Sequence, residues 1–91
     1  MKLFLVHAGF YDNDISDGFY ESHTNYFVVA NDVKHAKSKA KQITEYKNKK
    51  MHIDGIKEID VVDGHKVLLR EHNDHKNDES NNYSYDEVKK I

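Results

Sequence analysis

The 91-residue chain contains no cysteine, no proline and a single arginine, Arg70. Without cysteine there is neither a disulfide framework nor a thiolate metal site, so zinc fingers are excluded and the chain is compatible with a reducing cytosol. Without proline, and with no glycine near its end, the one long helical pattern has no stop signal and is expected to fray from Tyr46 to Lys50. One arginine serves bidentate recognition of phosphate or guanine poorly. The lysines at 34, 37, 39, 41, 47, 49 and 50 lie on several sides of the helix and read as a solvated face, which argues against a nucleic-acid partner. No apolar run approaches the roughly 18 residues of a membrane span, and the start MKLFLVHAGF lacks a long apolar stretch and a small-residue cleavage site. A cytoplasmic protein is therefore expected.

A chain this short forms one domain and buries only about 60 to 65 percent of its unfolded surface, so a ligand is expected at an edge or an interface. The organising stretch is NYFVVANDVKHAKSKAKQI, residues 25–43. Tyr26, Phe27, Val28 and Val29 suit a pleated, buried surface, and Asn31 and Asp32 offer oxygens to the free amides of a helix start. Val33, Ala36, Ala40 and Ile43 then recur at helical spacing as one narrow apolar stripe.

Around this unit, residues 2–8 read as a central strand buried on both faces, and 9–24 as a long loop or ragged hairpin. Residues 51–62 read as a third strand whose apolar phase shifts near Gly55 or Lys57, the mark of a bulge. Asp63-Gly64 has the chemistry of a two-residue type I′ turn, so 65–70 is expected to return as a fourth strand. The fold class expected is α+β: a four-stranded antiparallel sheet, β-β-α-β-β in order 2-1-3-4, with one helix on one face. Residues 1–70 form the domain. The polar tail 71–91 is expected to be largely disordered, with a helical turn begun at Ser84 or Asp86. The uncovered sheet face predicts a homodimer, or a tail folded across it.

Three segments carry a resemblance: MKLFLVHAGF, ESHTNYFVVA and MHIDGIKEIDVVDGHKV. Over about residues 1–69 they resemble the small bacterial proteins grouped as domain of unknown function 1543. The resemblance rests on a histidine before the Phe-Val-Val strand, a His-x-Asp after the helix and an Asp-Gly hairpin. It singles out His23, His52, Asp54, Asp63 and Gly64. It implies no activity, because the family has none established. The chain differs from the family in having Ala8-Gly9 where paired glycines are frequent, and Tyr46 in place of a tryptophan.

In the expected topology one edge of the sheet collects His7, Glu21, His23, His52, Asp54 and His72, while His35 and His65 fall at the opposite end. Imidazole with carboxylate ligates Zn, Mn, Fe or Ni, and the same groups serve as general acid and base near neutral pH. His52 and Asp54, two apart on a strand, project to one face. The binding residues expected at this edge are His7, Glu21, His23, His52 and Asp54; no cofactor is expected, and should a divalent transition metal bind there, its ligands are His23, His52 and Asp54. Against this, no HxxxH or HxH spacing is present, and scattered histidines also cap strand ends. Two functions follow. One is a small non-enzymatic binding or regulatory module, dimeric, for an unidentified protein or small molecule. The other is a metal-dependent or acid-base enzyme at the same edge.

Overall fold

The computed structural model describes residues 1–72 and 78–91, and its centre is a three-stranded antiparallel sheet. Strands β1 (Lys2–Phe10), β2 (Ser22–Ala30) and β3 (His52–Ile59) lie in the order β2-β1-β3. β1 pairs with β2 without interruption from Lys2 opposite Ala30 to Phe10 opposite Ser22. β1 therefore runs two residues further than its apolar run suggested. The connection to β2 is held by a 3-10 turn at Ser16–Gly18, where Ser16, Asp17 and Gly18 all adopt positive φ. Against β3 the register breaks once, between His7 opposite Gly55 and Ala8 opposite Ile53, so Asp54 is an extra residue and the bulge lies beside Gly55.

Alternation along β1 sends Phe4, Val6, Ala8 and Phe10 to one face, where all are buried. Two helices cover that face: α1 (Val33–Lys41) and α2 (Thr44–Asn48). Leu3, Leu5 and His7 on the other face are only half-buried, so the strand is not buried on both faces as expected, because the helices cover one face alone. Asp32 caps α1 by accepting the His35 amide at 2.7 Å. Ala36 and Ala40 are fully buried against Phe4, Val6, Val28 and Ala30, and their small side chains bring the helix close to the sheet. Val33, at the first helical position, stays exposed.

The frayed helix end expected at residues 46–50 is instead α2. In a straight helix Tyr46 would lie about 120° around the axis from Ala40. A break at Gln42 and Ile43 turns it inward, where Tyr46 is buried with Ala8, Phe10 and Met51. The exit from α2 is a Schellman motif: the Met51 amide donates to Tyr46 and the Lys50 amide to Lys47, with Lys50 left-handed at φ 50°. That turn, pinned by Met51 in the core, starts β3 at His52.

The fourth strand does not join the sheet. Asp63 (φ 51°) and Gly64 (φ 74°) form the expected turn, but they join only β4 (Val61–Val62) to β5 (His65–Lys66) as a separate two-stranded ribbon. Ile59, opposite Leu3, is the last residue of β3 paired with β1, and beyond it no described strand of the sheet holds the chain flat. An isolated ribbon twists more strongly than a sheet, and the return segment is not kept in register with β3. After Val67 donates to the Asp60 carbonyl at 2.9 Å, Leu68 and Leu69 line a depression with Met1, Lys2 and Leu3 at the end of the sheet.

In the tail, α3 (Tyr85–Lys90) opens on a capping box between Ser84 and Glu87, as the sequence signature implied. Tyr83, Tyr85, Val88 and Ile91 are exposed, so this segment does not fold across the open sheet face. The disorder expected of the polar run falls partly on 73–77, outside the described residues. No described helix is long and apolar enough to cross a membrane.

Where the two halves of the core meet, the Tyr26 hydroxyl donates to Glu45 Oε1 and lies 3.7 Å from Met51 Sδ. Burial, then the hydrogen bond and the charge of Glu45, push its pKa up from 10.0 to about 12. The folded state thus holds this proton more tightly than the unfolded chain. Its contribution to stability is complete below pH 10 and is lost as pH rises towards 12. Thermal melts of wild type and Tyr26→Phe should accordingly differ by a constant amount up to pH 10 and converge above it. A difference unchanged to pH 12 would contradict the role given to Tyr26.

Candidate functional site

The face of the sheet opposite the helices presents Leu3, Leu5, His7 and Gly9 from β1. The register flanks Gly9 with His23 of β2 on one side and His52 of β3 on the other. Asp54 reaches the same place because the bulge frees it from a partner on β1, and Glu21 enters from the residue before β2. Four chemically active side chains thus converge on a position that has no side chain of its own.

The convergence is close. A Cβ placed on Gly9 would lie 2.2 Å from Glu21 Oε1, 2.7 Å from His52 Nε2 and 2.8 Å from Asp54 Oδ2. The four groups form a closed ring of alternating imidazole and carboxylate. His23 Nε2 is 2.9 Å from Glu21 Oε1 and 3.1 Å from Asp54 Oδ2; His52 Nε2 is 3.0 Å from Glu21 Oε1 and 3.1 Å from Asp54 Oδ1. Each imidazole nitrogen carries at most one proton yet faces two carboxylate oxygens. Two carboxylates over one glycine call for positive charge between them, which protonated imidazoles or a metal cation supply. Bonds of about 2.1 Å at right angles place neighbouring donors about 3.0 Å apart, the spacing of this ring.

His7 lies one row along β1 and stacks on His23, with ring centroids 4.9 Å apart and planes 6° from parallel. Its Nδ1 is 2.8 Å from Asn25 Oδ1. An amide oxygen only accepts, so Nδ1–H donates, the orientation that outer partners impose on ligating histidines. The ring is open to solvent: the side chains of Glu21, Asp54, His23 and His52 are 30, 33, 43 and 49% exposed.

The structure brings His7, Glu21, His23, His52 and Asp54 together, at the strand ends and on the open face. It does not bring His72, which pairs with Glu79 at 3.7 Å; among the described residues no fourth strand lies beside β3 to return the chain to the cluster. His35 accepts the Asn31 amide and His65 pairs with the Asp63 carbonyl, both away from the site. Two participants escape a reading based on ionisable residues. Gly9 opens the segment that reads as a loop, although a glycine closing an apolar strand is a signal of close approach by other groups. Asn25, which orients His7, is found only from the register.

These features define a small α+β domain with a histidine–carboxylate cluster on the uncovered face of an antiparallel sheet. The family model described as Domain of Unknown Function (DUF1543) matches residues 18–69, more than half of the chain, and the chain belongs to that family. The match takes in Glu21, His23, His52, Asp54 and the Asp63-Gly64 turn, while β1 with His7 and Gly9 precedes it. No curated protein and no solved structure matches the chain.

The space over Gly9 yields a direct test. The three atoms that crowd a Cβ there are ends of flexible side chains on an open face, and Gly9 has no positive φ to strain an alanine. Gly9→Ala should leave the melting temperature within a few degrees of wild type, because alanine is the better strand residue by roughly 0.5–1 kcal/mol. It should also push the carboxylates apart and weaken any cation bound between them at least tenfold by calorimetry. Unaltered binding would show that the ring does not close over Gly9.

Proposed function

We propose that this chain is a binding module for divalent transition-metal cations, with Glu21, His23, His52 and Asp54 as ligands. The observation that carries the reading is the closed ring of four donors around a point left vacant by Gly9. Mixed nitrogen and oxygen donors suit Zn²⁺, Mn²⁺, Fe²⁺ or Ni²⁺, and two carboxylates balance the charge of one such ion. The exposure of the donors favours a second reading. An ion held on an open face keeps coordination positions for water, so a metal-activated water with a histidine as acid or base would make the module an enzyme.

Metal-free protein titrated with Zn²⁺ or Ni²⁺ should bind in calorimetry. At a hundredfold excess over Kd the ion stabilises the fold by about 2.7 kcal/mol, which for a domain of this size raises the melting temperature by about 10 °C or more. His52→Ala should weaken both effects. No heat and no rise in wild type would refute the module and the metal-enzyme reading together.

The same reading includes a homodimer. At the other end of the open face Leu3, Leu5, Phe27, Val29 and Ile59 form apolar rows, with Phe27 exposed on the edge strand. A second copy seated there would remove them from water. The protein should sediment as a dimer at micromolar concentration; a monomer with and without metal would rule this out.

A further inference from the structure

We infer that the cluster holds two divalent cations bridged by Asp54 rather than one, an inference that rests on the metal-binding reading above. The donors fall into two sets of three that share one residue. The ligand atoms of Glu21, His52 and Asp54 lie within 4.8 Å of one another, and so do those of His7, His23 and Asp54. The two carboxylate oxygens of Asp54 face different partners: Oδ1 is 3.1 Å from His52 Nε2 and Oδ2 is 3.1 Å from His23 Nε2. A carboxylate with one oxygen in each set is placed to bridge two ions, which in such centres sit about 3.5–4 Å apart.

Two further features fit a pair of ions better than one. Glu21 Oε1 lies between the imidazoles, 2.9 Å from His23 and 3.0 Å from His52, where a second bridging oxygen screens two cations from each other. His7 has no role in a centre made from the ring of four, yet it belongs to the second set, and Asn25 orients its ring through Nδ1. With His7 included, each ion receives at least one imidazole and one oxygen of the shared Asp54.

Native mass spectrometry of the full chain, loaded with Zn²⁺, tests the inference. Wild type should saturate at two ions per chain, His7→Ala at one and His52→Ala at one, with circular dichroism confirming that each variant is folded. The Mn²⁺-loaded wild type should show the exchange-coupled electron paramagnetic resonance of an ion pair, a measurement that decides the matter even where a variant fails to fold. Saturation of wild type at one ion, with the hyperfine pattern of an isolated Mn²⁺, overturns the two-ion centre and leaves the binding module standing. Saturation at none overturns both.

Discussion

Strand β1 is hydrogen-bonded along both sides, to β2 over its whole length and to β3 over most of it. Every other placement follows from that double pairing. Phe4, Val6, Ala8 and Phe10 pack under α1 and α2, and its odd-numbered residues face the open side. Because β2 and β3 both run antiparallel to β1, the end of β1 meets the starts of both neighbours, so residues on three strands arrive at Gly9. With two short helices, the chain covers one face of its sheet and leaves the other to solvent. The cluster occupies that other face because a thin core has no interior volume for it.

The cluster itself rests on two local departures from a regular sheet. One is a missing side chain, at Gly9, and the other is an extra residue, Asp54. A side chain at Gly9 would fill the centre of the ring, and the bulge leaves Asp54 without a partner on β1. Neither departure serves stability, since glycine weakens a strand interior and a bulge interrupts the ladder. Partly exposed ion pairs return little in compensation. Such local costs, gathered around one group of ionisable side chains, are what binding sites impose on an otherwise consistent fold.

The supports of the site are of a different kind. The Schellman exit of α2 delivers His52, and it is pinned because Met51 and Tyr46 share a core cluster with Ala8 and Phe10 on the reverse of the strand that carries Gly9. Packing on one face therefore determines where donors stand on the other. Lys49, above the Phe10 ring at 4.7 Å and paired with Asp12 at 3.6 Å, ties the β1–β2 connection to the same helix. Replacing the buried residues beneath the site would move its ligands without touching them, because close-packed cores transmit displacement.

The sequence alone determined the alternation in β1, the cap at Asp32, the Asp63-Gly64 turn, the bulge near Gly55 and the order β2-β1-β3, since each is a local pattern or a rule of chain connection. From these the convergence of His7, Glu21, His23, His52 and Asp54 was legible, because antiparallel neighbours bring strand ends together. Only the tertiary structure decided the rest. Whether the return segment joined the sheet depended on β3 losing its neighbour beyond Ile59, and the fate of Tyr46 depended on space beside Ala8 and Phe10. Gly9 looked like the start of a loop, and its place at the centre of the ring could not be read from its neighbours in sequence. A glycine's vacancy has meaning only when the side chains that fill it, from residues 21, 52 and 54, have been folded around it.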